Sequence, residues 1–267
     1  MTQSDPAFDV DGKVVFVTGG SRGIGLGMVE YLAEAGCRIV TSGRDEERLE
    51  PAIEACEKAG VESLALVFDV REYDDAVKAM EKVGERFGRL DALINNAGGS
   101  FAVPTVTMSP RAWASIININ LSGVLHCSKA AFPMLSQSQG SIVNIASRAG
   151  VQPTPTMAAY GAAKAGVIHL TATLAMEWAS SRIRVNCVAP GLIETELARE
   201  YLFGGDQEAM DRAAQGIGVG RVGQPVDIAR ACRYLISDAG NFVNGATLLV
   251  DGGQVSPNPR DRSAEAG

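Results

Sequence analysis

Short, mostly apolar runs and longer amphipathic stretches take turns along this chain. The runs at 14–17, 38–41, 64–68, 90–94, 141–145, 183–188 and 247–250 have strand length and are rich in Val, Ile and Leu. Between them, at 28–35, 46–58, 73–87, 110–135, 160–179 and 226–237, apolar residues recur at helical spacing. Pro110 suits the first turn of its helix, where an N–H would have no partner. Asp45 is expected to cap the helix over 46–58. Strands that are apolar on both faces are those of a parallel sheet covered by helices on both sides. The chain is therefore expected to form a single α/β domain over 1–267, three-layered and doubly wound, with a parallel sheet of about seven strands. In such a sheet, ligands bind at the carboxyl ends of the strands.

Composition narrows the function classes. With 46% apolar and 21% charged residues, 267 positions are enough for a full core. A net charge of -7, from 24 basic and 31 acidic residues, argues against a nucleic-acid or anionic-membrane surface. No apolar run reaches the ~18 residues of a membrane span, and the N-terminus is polar and acidic, unlike a signal peptide. The five cysteines are scattered without a C-x-x-C, which predicts buried free thiols and a cytoplasmic, reducing setting. His126 and His169 lack ligand spacing to another His or Cys, so no metal is expected. The segment 255–267, rich in Pro, Asp, Arg and Ser, is expected to be a loose tail or an arm onto a partner subunit.

Two clusters carry chemistry. The first is the loop Thr18-Gly19-Gly20-Ser21-Arg22-Gly23-Ile24-Gly25, directly after the first predicted strand. Glycines allow a sharp turn and close approach to a pyrophosphate, while the following helix offers free N–H groups and partial positive charge. Its spacing is one residue longer than G-x-G-x-x-G. At the exit of the second strand, where the adenosine ribose would lie, stands Arg44, followed by Asp45. An acid there would mark NAD. Reading Asp45 as a helix cap leaves Arg44 and Arg22 to clamp a 2′-phosphate, so NADP(H) is preferred and NAD(H) is the alternative.

The second cluster is Ser147, Tyr160 and Lys164. On a helix, Tyr160 and Lys164 share a face. A phenol is a poor acid or base near neutrality, and a nearby cation is expected to lower its pKa and make it usable in proton transfer.

With these residues in place, the chain resembles the short-chain dehydrogenase/reductase family from Gly12 to Gly253. The family's T-G-x-x-x-G-x-G is matched by Thr18 to Gly25. Its adenine-side Asp is matched by Asp69, followed by Val70, and its N-N-A-G by Asn95, Asn96, Ala97 and Gly98. Its active-site Asn is matched by Asn120, its Ser by Ser147, and its Y-x-x-x-K by Tyr160 and Lys164. Its P-G-x-I-x-T beside the nicotinamide is matched by Pro190, Gly191, Ile193 and Thr195. The resemblance implies a Rossmann fold, an NAD(P)-linked oxidoreductase and a homo-oligomer, a tetramer or dimer. It implies that Tyr160 exchanges the proton, Ser147 steadies the substrate oxygen, and Lys164 also holds the nicotinamide ribose. It also implies that Asn120 anchors a water behind Lys164.

Residues 96–113 and 176–179 look like the branch of trans-2-enoyl-CoA and 2,4-dienoyl-CoA reductases. The intact Ser147, Tyr160 and Lys164 look more like the carbonyl-reducing branch. Reduction of a carbonyl to a secondary alcohol is the expected reaction. The alternative is C=C reduction of an enoyl-CoA, and more distantly a non-catalytic dinucleotide-binding regulator. The stretch 195–220, with five glycines among amphipathic pieces, is expected to be a lid. Leu197, Tyr201, Leu202, Phe203, Met210 and Ile217 in it point to a partly apolar small-molecule substrate.

Overall fold

The computed structural model describes residues 5–253; the expected tail over 255–267 lies outside them. Seven parallel strands form one sheet in the order β3-β2-β1-β4-β5-β6-β7. They are β1 (Val14–Thr18), β2 (Arg38–Gly43), β3 (Ser63–Val67), β4 (Ala92–Asn95), β5 (Ser141–Ile145), β6 (Arg184–Pro190) and β7 (Thr247–Val250). The helices are α1 (Gly23–Glu34), α2 (Glu50–Ala59), α3 (Tyr73–Phe87), α4 (Pro110–Ile117), α5 (Gly123–Ser138), α6 (Ala158–Glu177), α7 (Glu196–Phe203), α8 (Gln207–Gln215) and α9 (Pro225–Ile236). One face of the sheet buries Val15, Val17, Ile39 and Ile94 against α1, α2 and α9, through residues such as Met28, Ala52 and Ile228. The other face buries Phe16, Val40, Leu93 and Ile142 against α3, α5 and α6, through Val83, Leu135 and Leu174. The fully apolar strand pattern thus has the two-sided cover it requires.

Strand order reverses between β1 and β4. The connections leaving these two strands run to opposite faces and open a crevice between them, which is where doubly wound sheets bind ligands. The glycine loop leaves β1 and the Asn95 to Gly98 segment leaves β4, so both border that crevice.

Three local expectations are corrected. Asp45 caps no helix: a 3-10 turn at Glu47–Leu49 precedes α2, which starts at Glu50. Pro51 sits in the first turn of α2 and sets its start. Asp45 instead pairs with Arg48 at 3.3 Å on the surface. The helix expected over 110–135 is interrupted by a π turn at Asn118–Ser122 and runs on to Ser138. There Asn120 Nδ2 donates to the Ile116 carbonyl at 2.9 Å, competing with the regular backbone ladder, and Asn120 is also held from outside the helix by Gly99. The apolar residues of 195–220 are not all turned to a substrate. Met210, Ile217 and Val222 form a small core of their own with Phe203 and Leu192 packed against it, while Leu197, Tyr201 and Leu202 remain exposed.

The five cysteines are free and buried, as expected. Among the described residues no helix is long and apolar enough to cross a membrane, and no cluster of His, Cys, Asp and Glu could hold a metal ion.

A buried polar chain ties the sheet to two helices. Asn95 Nδ2 donates to Ser128 Oγ of α5 at 2.9 Å and to Asn144 Oδ1 at 2.8 Å, and Asn144 Nδ2 donates to Thr171 Oγ1 of α6 at 2.9 Å. Asn144→Ala leaves donors and acceptors without partners in the core. The expected loss is about 2 kcal/mol of unfolding free energy, read from urea denaturation at unchanged m-value. A loss under about 0.5 kcal/mol would be within the range of a surface change and would show that the chain is dispensable.

Candidate functional site

The glycine loop closes tightly on itself. A Cβ on Gly25 would fall 2.1 Å from the Gly19 carbonyl oxygen and 2.6 Å from Asn96 Nδ2, so only a glycine allows this approach. Asn96 Nδ2 donates to the carbonyls of Thr18 and Gly19, both at 3.0 Å. The Thr18 hydroxyl accepts from the backbone N–H groups of Asn96 and Ala97, also at 3.0 Å. The two sides of the crevice are therefore stitched together at its floor. Sequence reasoning named Thr18 only as part of the loop; its place at the junction of the first apolar run and the glycine loop was the available signal.

Helix α1 starts inside this loop with Arg22 as its N-cap. No side chain caps it and its first turn holds no acidic residue. Its leading N–H groups and partial positive charge are thus directed at the loop, the arrangement that accepts a phosphate. The site fits a dinucleotide pyrophosphate over Gly19, Ser21, Gly23, Ile24 and Gly25. Arg22 and Arg44 are both exposed, and neither belongs to a salt bridge among the described residues. Asp69 is bound to Arg71 of its own turn, with Nε–Oδ distances of 2.9 Å. That contact holds the Asp69 carboxyl below its ordinary range, with a smaller contribution from the Arg44 charge. The Val70 carbonyl lies 3.2 Å from His126 Nδ1 of α5.

Strand β6 ends at Pro190, and Gly191 N donates to the Val250 carbonyl at 3.0 Å. Ile193 then pairs with Gly223 as an isolated bridge. Thr195 caps α7 through a bond from Ala198 N at 3.1 Å. Its methyl lies 3.3 Å from where a Gly23 Cβ would be, so this segment returns to the glycine loop.

Ser147 follows β5 and Tyr160 stands in the first turn of α6. The Ser147 side chain is near enough to Tyr160 to lower its pKa, and Ser147 Oγ accepts from Ala149 N at 3.1 Å. Lys164 is 3% exposed, and no salt bridge among the described residues includes it. Its ammonium donates to the Ile145 carbonyl at 2.8 Å and sits 5.7 Å from the centre of the Tyr160 ring. Asn120, in the π turn, donates to the Gly99 carbonyl at 2.7 Å and accepts from Gly99 N at 3.2 Å. A Cβ on Gly98 would lie 2.6 Å from Asn120 Oδ1 and 3.6 Å from Lys164 Nζ. All four candidate catalytic residues thus converge beside the crevice.

The electrostatics differ from expectation. Tyr160 is half-buried, and burial raises its pKa; the opposing influence is the neighbouring Ser147 hydroxyl, not the Lys164 charge. The ammonium is held by the Ile145 carbonyl at 2.8 Å, 5.7 Å from the centre of the Tyr160 ring. Burial also lowers the Lys164 pKa, from 10.5 to about 8, with a small opposing contribution from Cys187.

Comparison with known proteins agrees with this geometry. A family model described as short chain dehydrogenase matches residues 13–202. A probable 2,4-dienoyl-CoA reductase from Bacillus subtilis is 38% identical over 92% of this chain and 98% of its own length. A 3-oxoacyl-acyl-carrier-protein reductase from Thermotoga maritima is 35% identical over 92% of this chain and 99% of its own. A crystal structure of a short chain dehydrogenase from Bacillus anthracis superposes with a TM-score of 0.80 at 39% identity, covering 92% of this chain and 98% of that one.

The buried lysine gives stability a pH dependence. Its native pKa near 8 lies below the unfolded value of 10.5, so the native state releases this proton first as pH rises. The burial cost is present in full below pH 8 and is relieved between about 8 and 10.5, for a gain of about 3 kcal/mol at most. Across this window the unfolding free energy of the unaltered protein should rise relative to that of Lys164→Met. Parallel curves for the two proteins would show that Lys164 is not buried as a cation.

Proposed function

Because the chain belongs to the short-chain dehydrogenase family, we propose that it is an NADP(H)-dependent oxidoreductase interconverting a carbonyl and a secondary alcohol. One observation carries the reaction type: the Ser147 hydroxyl neighbours Tyr160 closely enough to act on its pKa, beside the end of β5, with the buried Lys164 ammonium held behind them. Two O–H groups that close together form a donor pair for one substrate oxygen. A bound nicotinamide dinucleotide would supply the hydride in reduction and take it up in oxidation.

The chain's own residues provide the rest. Gly19, Ser21, Arg22, Gly23, Ile24 and Gly25 hold the pyrophosphate at the start of α1, and Arg44 with Arg22 takes the 2′-phosphate. Asp69 and Val70 bound the adenine side, and Asn96, Ala97 and Gly98 form the floor. Pro190, Gly191, Ile193 and Thr195 flank the nicotinamide, and Lys164 reaches the ribose hydroxyls. Ser147 donates to the substrate oxygen and steadies its developing charge. Tyr160, kept protonated by its raised pKa, gives its proton to that oxygen only as the charge develops. Asn120 closes the site behind Lys164. Exposed Leu197, Tyr201 and Leu202 on α7 support a lid over a partly apolar substrate. Leu248 and Leu249, exposed on the edge strand β7, support assembly with further copies of this chain into a tetramer or dimer.

A second reading has support in the Bacillus subtilis relative named as a probable 2,4-dienoyl-CoA reductase. Reduction of an enoyl thioester protonates a carbon, and its donors must reach a thioester oxygen away from the hydride acceptor. The close Ser147–Tyr160 pair suits a carbonyl better.

Offered NADPH with a β-keto ester, an aliphatic ketone and a trans-2-enoyl-CoA, the protein should form alcohol from at least one carbonyl substrate. Tyr160→Phe should lower that turnover by about 10²-fold or more. Saturation of the enoyl-CoA with no alcohol from either carbonyl would replace this reading with the second.

Cofactor choice is tested at Arg44. Arg44→Ala should raise the KM for NADPH about tenfold, the scale of a lost charge-assisted bond, and leave the KM for NADH within about twofold. A preference of the unaltered protein for NADH would turn the assignment to NAD.

A further inference from the structure

Three non-glycine residues of the described chain have a left-handed backbone: Gln139, Arg182 and Thr156. Gln139 and Arg182 end helical segments, where this conformation is ordinary. Thr156 ends none. It has φ +67° one residue before the N-cap of α6, and a β-branched side chain makes that conformation a true outlier. Strain of this kind persists where surrounding contacts enforce it, and it gathers at functional sites.

From this conformation Thr156 makes one long-range backbone contact. The Thr156 carbonyl accepts from Val103 N at 2.9 Å. Val103 belongs to the loop that leaves β4 past Gly98. At its root, Gly99 is held by the two-way bond with Asn120. The arch Ser100-Phe101-Ala102 is therefore clamped at both feet, at Gly99 by a candidate catalytic residue and at Val103 by Thr156. Ser100 Oγ also meets Met157 Sδ at 4.0 Å, one residue beyond Thr156 and three before Tyr160. The arch carries Phe101, 52% exposed.

We propose that Thr156 is a specificity-determining positioning residue: its left-handed backbone turns the carbonyl onto Val103 and fixes the Ser100 to Ala102 arch as one wall of the substrate cleft beside Tyr160. This rests on the carbonyl–alcohol reading of the site. Thr156 touches neither the reacting atoms nor the glycine loop. Its effect falls on which substrates the wall admits and how well it holds them.

The clasp can be cut from either side. Thr156→Pro fixes φ near -65° and turns the carbonyl away. Val103→Pro deletes the donor of the same bond. Each variant, with NADPH, is assayed on a small aliphatic ketone and on a bulky aryl ketone. The ratio of kcat/KM for the bulky to the small ketone should change about tenfold, mainly through KM, with the KM for NADPH within about twofold. The double variant should be no worse than either single one, because both remove one interaction. Thr156→Asn, which tolerates the left-handed conformation, should keep the unaltered ratio and unfold at a higher temperature. It also keeps the test decisive where a proline variant fails to fold, since a changed ratio in Thr156→Asn contradicts the backbone role. Unaltered ratios in the proline variants, or additive effects in the double variant, would overturn the proposal while ketone turnover stands. Absence of ketone turnover by the unaltered protein would instead overturn the reaction assignment and this proposal with it.

Discussion

A lysine with no carboxylate partner among the described residues is buried at the junction of β5 and α6, and the site is organised around accommodating it. Removing an ammonium from water costs several kcal/mol unless other dipoles replace the hydration. Here the Ile145 carbonyl accepts from it and the Tyr160 ring lies beside it. Asn120 Oδ1 and Lys164 Nζ border the same point on the backbone of Gly98. Each of these groups comes from a different connection, so the site exists only when β4, β5, the π turn and α6 are all in register. The chain Asn95–Asn144–Thr171 links three of these elements, β4, β5 and α6, and fixes their relative height. Polar groups that must be satisfied inside an apolar core specify one arrangement more sharply than apolar packing does.

Much of this was legible in the sequence because it depends on local spacing. The strand and helix pattern gave the sheet and its two covered faces, since a strand buried on both sides needs nothing but an apolar run. The glycine loop was recognisable because its demands are backbone demands. Tyr160 and Lys164 fell on one helix face by simple arithmetic. What escaped depends on partners far away in the chain. Nothing within 110–135 announces a π turn at Asn120, because its other partner is Gly99, 21 residues earlier. Asp45 looked like a cap, but Pro51 decides where α2 starts. The Lys164 influence on Tyr160 was inferred from spacing alone, whereas the position of the ammonium is set by the carbonyl of Ile145, 19 residues before it.

The excursion after β6 has a similar lesson. Its apolar residues looked available to a substrate, yet a segment this far from the main core has to fold before it can cover anything. Met210, Ile217 and Val222 serve that need. The apolar residues left over, Leu197, Tyr201 and Leu202, lie on α7, the helix that Thr195 caps beside the glycine loop. Phe203, at the end of α7, packs into the small core, so α7 is tied to it while these three side chains stay exposed.

The cysteines carry a consequence of a different kind. All five are buried. Burial pushes their thiols upward, Cys56 and Cys187 to about 11 and Cys37 and Cys127 to about 12, with Cys232 also raised. Near neutrality almost none is thiolate, the form that reacts. They are spread over both faces of the sheet, with Cys37, Cys56 and Cys232 on one and Cys127 on the other. An alkylating reagent therefore meets them only when the surrounding layer opens. The chain carries an internal set of clocks: the order in which its thiols become labelled reports which face of the molecule breathes first.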